Sequence, residues 1–81
     1  MTHDEILSQM TEIFRDVLDE PSIELERATT AADIEEWDSL SHTQLVAAIE
    51  KHFKVRFTAR EIQGFKNVGE MSDALERMLK R

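Results

Sequence analysis

Between Asp19 and Asp38 the chain loses all hydrophobic periodicity, and on both sides of that gap it keeps a helical one. Upstream, Ile6, Met10, Ile13, Phe14, Val17 and Leu18 fall at i, i+4, i+7, i+8, i+11 and i+12, the stripe of an amphipathic helix. Pro21 cannot extend that helix, because its ring removes a backbone donor and clashes with the preceding turn. Within the gap Ile23, Leu25, Ala28 and Ile34 are scattered among acids and threonines. They are expected to dock a long ordered loop onto the helices. Twenty residues is a long connection for so small a domain, and such loops are commonly functional.

Downstream, a second helix is expected from about Ser39 to His52 or Phe53. Leu45, Ala48, Ile49 and Phe53 form one stripe along it, expected to be core. Leu40, Thr43 and Ala47 form a milder stripe on a neighbouring face, expected to meet solvent or a partner. Lys54–Phe57 reads as a short connection with Val55 and Phe57 pointing inward. Thr58 with Glu61 has the spacing of a capping box and opens a short helix carrying Ile62 and Phe65. Gly64 and Lys66 stop it within two turns. Thr2 with Glu5 has the same box ahead of the first helix, and Asn67 with Glu70 a weaker version ahead of the last. There Val68, Met71, Leu75, Met78 and Leu79 recur at helical spacing, and Lys80 and Arg81 at its end suit the helix dipole. The fold expected is all-α: one domain over residues 1–81, a small bundle of three main helices plus one short helix.

Composition agrees. Two glycines, one proline and no tyrosine in 81 residues leave too few turn-formers for a sandwich or barrel, and 41% hydrophobic content is too high for a disordered tail. No cysteine is present, so neither disulfides nor a thiolate metal site can staple the fold. No apolar run approaches the roughly 18 residues of a membrane helix. The acidic start, Met1-Thr2-His3-Asp4-Glu5, lacks the regions of a signal peptide. A cytoplasmic protein is expected. Residues 19–38 hold eight acids against Arg27 alone, whereas residues 39–81 hold five acids and eight bases. Such an acidic half repels nucleic acid and steers towards basic surfaces.

The chemistry concentrates at Trp37-Asp38-Ser39-Leu40. Ser39 stands at a helix start, where backbone N–H groups and the dipole favour an anion. Three residues after Asp38 stands Ser41 and no glutamate, so the donors of this start are expected to be less completely satisfied by side chains. Catalysis by Ser39 is disfavoured, since no Gly-x-Ser-x-Gly elbow or Ser-x-x-Lys pair surrounds it and His42 lacks an orienting partner. His3, His42 and His52 are too dispersed for a metal site, and Asp33, Glu35, Glu36 and Asp38 lack the spacing of a calcium loop. Trp37 is placed to staple the entry of the chain.

Asp38-Ser39-Leu40, followed by Leu45-Val46-Ala47-Ala48-Ile49-Glu50 and Phe53, resembles the acyl and peptidyl carrier protein family. The resemblance runs through the long first loop to Phe65-Lys66-Asn67-Val68-Gly69-Glu70-Met71 and covers residues 3–79. It implies that Ser39, not Ser41, receives 4′-phosphopantetheine from coenzyme A through a separate phosphopantetheinyl transferase. The phosphodiester at a helix N-terminus is tolerated. The arm then carries an acyl or aminoacyl group as a thioester, and the chain itself is no enzyme. Asp38 and Glu50 match acidic positions of the family, and Leu40, Thr43 and Ala47 match its partner-facing apolar positions. Ser41, Gln44, Lys51 and His52 stand where fatty-acid carriers commonly have acids, which points to a specialised pathway. The partners implied are the transferase, an acyl- or aminoacyl-loading enzyme and a downstream transferase or synthase. Neither nucleic acid nor membrane is expected, and the chain is expected to be a monomer. The alternatives are a peptidyl carrier loaded by an adenylating enzyme, or an unmodified helical adaptor binding a basic partner through residues 19–38.

Overall fold

Thr2 opens the first helix by the reciprocal device that its spacing to Glu5 predicts. In the computed structural model, which describes residues 2–79, Thr2 Oγ1 accepts from the Glu5 N–H (3.2 Å) and Glu5 Oε1 accepts from the Thr2 N–H (3.3 Å). The helix so begun, α1 (His3–Val17), buries Ile6, Met10 and Phe14 completely. Ile13, Val17 and Leu18 pack half-buried beside them. It ends where Asp19 turns left-handed (φ 52°) and the Glu20 N–H returns to the Arg15 carbonyl (3.0 Å). That geometry favours glycine, and aspartate is among the few other residues that adopt it readily.

Three further helices follow: α2 (Ser39–Phe53), the short α3 (Ala59–Gly64) and α4 (Val68–Leu79). The described residues contain no strand, and the architecture is the all-α bundle that the periodicity predicts. Leu45 and Ile49 of α2 meet Val68, Met71 and Leu75 of α4 and Ile6, Met10 and Phe14 of α1 in one core, all without solvent exposure. Thr58 and Glu61 close the start of α3 as a capping box, and Asn67 Oδ1 accepts from the Glu70 N–H (2.9 Å) ahead of α4. Lys54 ends α2 in the left-handed region (φ 59°). Lys80 and Arg81, assigned to the α4 dipole, lie outside the described residues. No described helix is long and apolar enough to cross a membrane.

The long loop is ordered by burial and by backbone pairing. Ile23, Leu25, Ile34 and Trp37 are buried, as expected. Ala28 is exposed, contrary to expectation: the inward positions alternate along the chain, and the next slot after Leu25 that is buried belongs to Thr29. Thr29 Oγ1 accepts from the Glu26 N–H (2.8 Å), while its carbonyl accepts from the Val68 N–H (2.9 Å). The Gly69 N–H reaches the Arg27 carbonyl (2.8 Å), so the loop supplies acceptors for the first turn of α4. Only glycine fits there, because a Cβ on residue 69 would lie 2.9 Å from the Arg27 oxygen. Arg27 also forks onto Asp73, with both nitrogens 3.0 Å from the carboxylate oxygens. A 3-10 turn (Ala31–Asp33) then carries the chain to Trp37.

Candidate functional site

The start of α2 is assembled from the last residues of the loop. Asp38 is the N-cap, and one carboxylate oxygen accepts from the N–H groups of Leu40 (3.0 Å) and Ser41 (2.9 Å). Bonding from the Ser41 N–H is the largest of the effects that hold the Asp38 carboxyl below the usual carboxylate range, against a smaller opposing desolvation. Ser41 overturns the expectation of an incompletely satisfied helix start. Its Oγ accepts from the Asp38 N–H (2.8 Å) and donates to the Glu36 carbonyl (2.8 Å), which is the reciprocal half of a capping box performed by a hydroxyl in place of a glutamate.

The two serines of the motif thus differ completely. Ser41 is buried and fully engaged. Ser39 is exposed, and among the described residues no hydrogen bond is made by its Oγ. An ester on Ser39 would project into solvent at a helix N-terminus, where negative charge is tolerated. An ester on Ser41 would tear open the cap.

Trp37 packs as a staple, 6% exposed, its ring edge-on to Phe14 at 5.1 Å. On its other side Trp37 lies against His42 (5.9 Å between centroids, planes 20° apart), and the indole Nε1–H donates to His42 Nδ1 (3.1 Å). His42 Nε2 lies 3.1 Å from the Ile62 carbonyl of α3. No structural part for His42 is legible in its spacing, yet it joins loop, α2 and α3. A groove of about 610 Å³ opens beside Ser39, with Trp37, His42, Thr43, Ile62 and Lys66 among its walls.

Of the positions expected to face partners, Leu40 is 72% exposed, and Thr43 and Ala47 are exposed on the same face. Glu50 differs. It is half-buried, and its Oε2 accepts from the Phe57 N–H (2.7 Å), fastening the connection that follows α2. Its expected solvent-facing position is corrected accordingly: the chain folds back after Lys54 and places a backbone donor within its reach. Elsewhere His3 Nε2 and carboxylate oxygens of Asp73 and Glu76 lie within 4.8 Å of one another, joining the two ends of the chain. Separation in sequence hides that cluster.

A phosphopantetheine attachment site family matches residues 8–75, which takes in most of α1, the loop, the whole of α2 with Ser39, α3 and most of α4. The chain belongs to the acyl carrier protein family. An acyl carrier protein of Acidothermus cellulolyticus is 32% identical over 73 residues, covering 90% of this chain and 87% of that protein. The solution structure of a holo acyl carrier protein from Geobacter metallireducens superposes with a TM-score of 0.88 at 46% identity. It covers 94% of this chain and 87% of that one. Membership identifies a phosphopantetheine-bearing acyl carrier, and such proteins carry groups without catalysing their chemistry. The residues present fit the group: an exposed serine hydroxyl at a helix N-terminus, with an open groove beside it.

Proposed function

We propose that Ser39 is the residue that receives 4′-phosphopantetheine, and that the chain acts as a single monomeric carrier domain over residues 1–81. The observation that carries this reading is the contrast between the exposed Ser39 hydroxyl and the doubly bonded Ser41 hydroxyl. In the transfer, Ser39 Oγ forms the new ester bond to the phosphorus that bears the pantetheine arm as the pyrophosphate bond of coenzyme A breaks. The nucleotide half leaves as 3′,5′-adenosine bisphosphate with the bonding electron pair, and the hydroxyl proton passes to a base on the transferase. When attached, the arm supplies a terminal thiol that holds an acyl group as a thioester. Asp38 orders the helix start that presents Ser39, and the acidic loop before it attracts a basic transferase surface.

The pathway served is a specialised one. Where fatty-acid carriers present acids on the second helix, Ser41 is buried in the cap and Gln44, Lys51 and His52 are exposed. Lys54, Arg56, Arg60 and Lys66 are exposed as well, so the surface after α2 is basic. The recognition face is Leu40, Thr43 and Ala47, with Glu50 at its border, engaged by the transferase, an acyl- or aminoacyl-loading enzyme and a downstream transferase or synthase. Incubation with coenzyme A, magnesium and a broad-specificity phosphopantetheinyl transferase should raise the intact mass by one phosphopantetheine in the wild type and leave Ser39→Ala unchanged. No increase in the wild type, or an equal one in Ser39→Ala, would overturn the assignment.

A further inference from the structure

Tryptophan can only donate through Nε1. The 3.1 Å bond to His42 Nδ1 therefore makes Nδ1 the acceptor, leaves the hydrogen on Nε2, and has Nε2 donate to the Ile62 carbonyl. Both ring nitrogens are occupied by partners from two other segments, one in the loop and one in α3. Trp37 lines the groove on one side and touches Phe14 of the core on the other. The pair consequently forms the wall between the groove and the bundle interior. None of the fully buried side chains Phe14, Leu45, Ile49 and Met71 lines the groove.

We infer that the Trp37–His42–Ile62 bridge closes the way from the Ser39 groove into the core, so that short acyl groups are held outside the bundle, in the groove. This rests on the reading of Ser39 as the attachment point. An alkyl chain passing between α2 and α3 must displace the imidazole from the Ile62 carbonyl. Leaving both the imidazole N–H and the Ile62 carbonyl unpaired cancels the gain from roughly two to seven buried methylenes, so a chain up to octanoyl gains little by entering. Outside the wall the groove offers the Thr43 hydroxyl, the Gln63 amide and the Lys66 ammonium. These groups suit hydroxyl or carboxylate oxygens on the cargo, beside the apolar faces of Trp37, Ile62 and Phe65 that a short alkyl segment can rest on.

The test loads the protein from acetyl-, butyryl-, 3-hydroxybutyryl- and octanoyl-coenzyme A with the transferase, and intact mass establishes that one acylated arm is present. Wild-type Tm should stay within about 2 °C from acetyl to octanoyl. The 3-hydroxybutyryl form should move the Thr43, Gln63 and Lys66 amide resonances further than the butyryl form does. His42→Ala should instead gain Tm with chain length, by several degrees at octanoyl. A purely structural histidine would lower every Tm equally and leave that slope flat. If His42→Ala does not fold, Trp37→Phe removes the donor while keeping the ring. Wild-type Tm rising steadily with chain length, with shifts at Phe14 and Met71, would overturn the inference, as would a flat slope in the opened variant. Absence of any arm by mass would overturn the attachment reading, and this inference with it.

Discussion

The segments on either side of α2 invert the usual expectation about order. The one before it, residues 19–38, has almost no regular structure, yet it buries Ile23, Leu25, Ile34 and Trp37 and lends two carbonyls to the start of α4. The one after it holds a helix, α3, that contains no fully buried residue. That helix is held to its surroundings by the His42 bond to Ile62, the Glu50 bond to Phe57 and an edge contact between Phe57 and Phe65 at 5.2 Å. Order follows burial and satisfied backbone groups, not helical label. The serine proposed to bear the arm therefore sits on a firm approach and faces a lightly held neighbour.

The sharpest way to break the contrast is Trp37→Ala. Removing a large ring that is packed on Phe14 and bonded to His42 should cost about 3–5 kcal/mol, seen as a lower urea midpoint with an unchanged m-value. Gly69→Ala strikes the same loop from α4. The new methyl would press on the Arg27 oxygen, and a loss of about 1–3 kcal/mol is expected. On the other side, Glu50→Ala frees the Phe57 N–H and should cost only about 1 kcal/mol globally. Its mark should be faster hydrogen exchange across residues 54–66, with α1 and α4 protected. A charge reversal at Glu50 consequently mixes recognition with structure, whereas Leu40→Glu on the exposed face separates them.

Acid should give the smallest effect, and on the loop side. Hydrogen bonding from Arg27 is the main cause that holds the Asp73 carboxyl below its usual range, and Asp38 is depressed by its cap bonds. Both groups bind protons less readily folded than unfolded. Their contribution is therefore complete above the ordinary carboxylate value of about 4 and is lost as pH falls below it through the folded values. Exposure keeps the Arg27–Asp73 pair weak. Arg27→Gln should flatten part of the acid transition monitored by Trp37 fluorescence.

The helices were legible because α1, α2 and α4 each carry a hydrophobic period and the starts of α1, α3 and α4 carry a spaced cap pair. The exposed face of Leu40, Thr43 and Ala47 followed from the same geometry. What escaped the sequence depends on groups brought together by folding. Ser41 completes a cap through a hydroxyl short enough to be read as unable to do so. Thr29 takes the inward slot given to Ala28, because loop burial follows backbone direction and not hydrophobicity alone. His42 gains the Ile62 carbonyl only when α3 packs against α2, and Arg27 meets Asp73 only when the loop closes on α4.

Peptide-level mapping of the transferase product tests the central claim most directly. Fragmentation of the modified protein should place the phosphopantetheine on Ser39, with Ser41 unmodified and Ser41→Ala still accepting it. Modification at Ser41, or at any serine other than Ser39, would contradict the account.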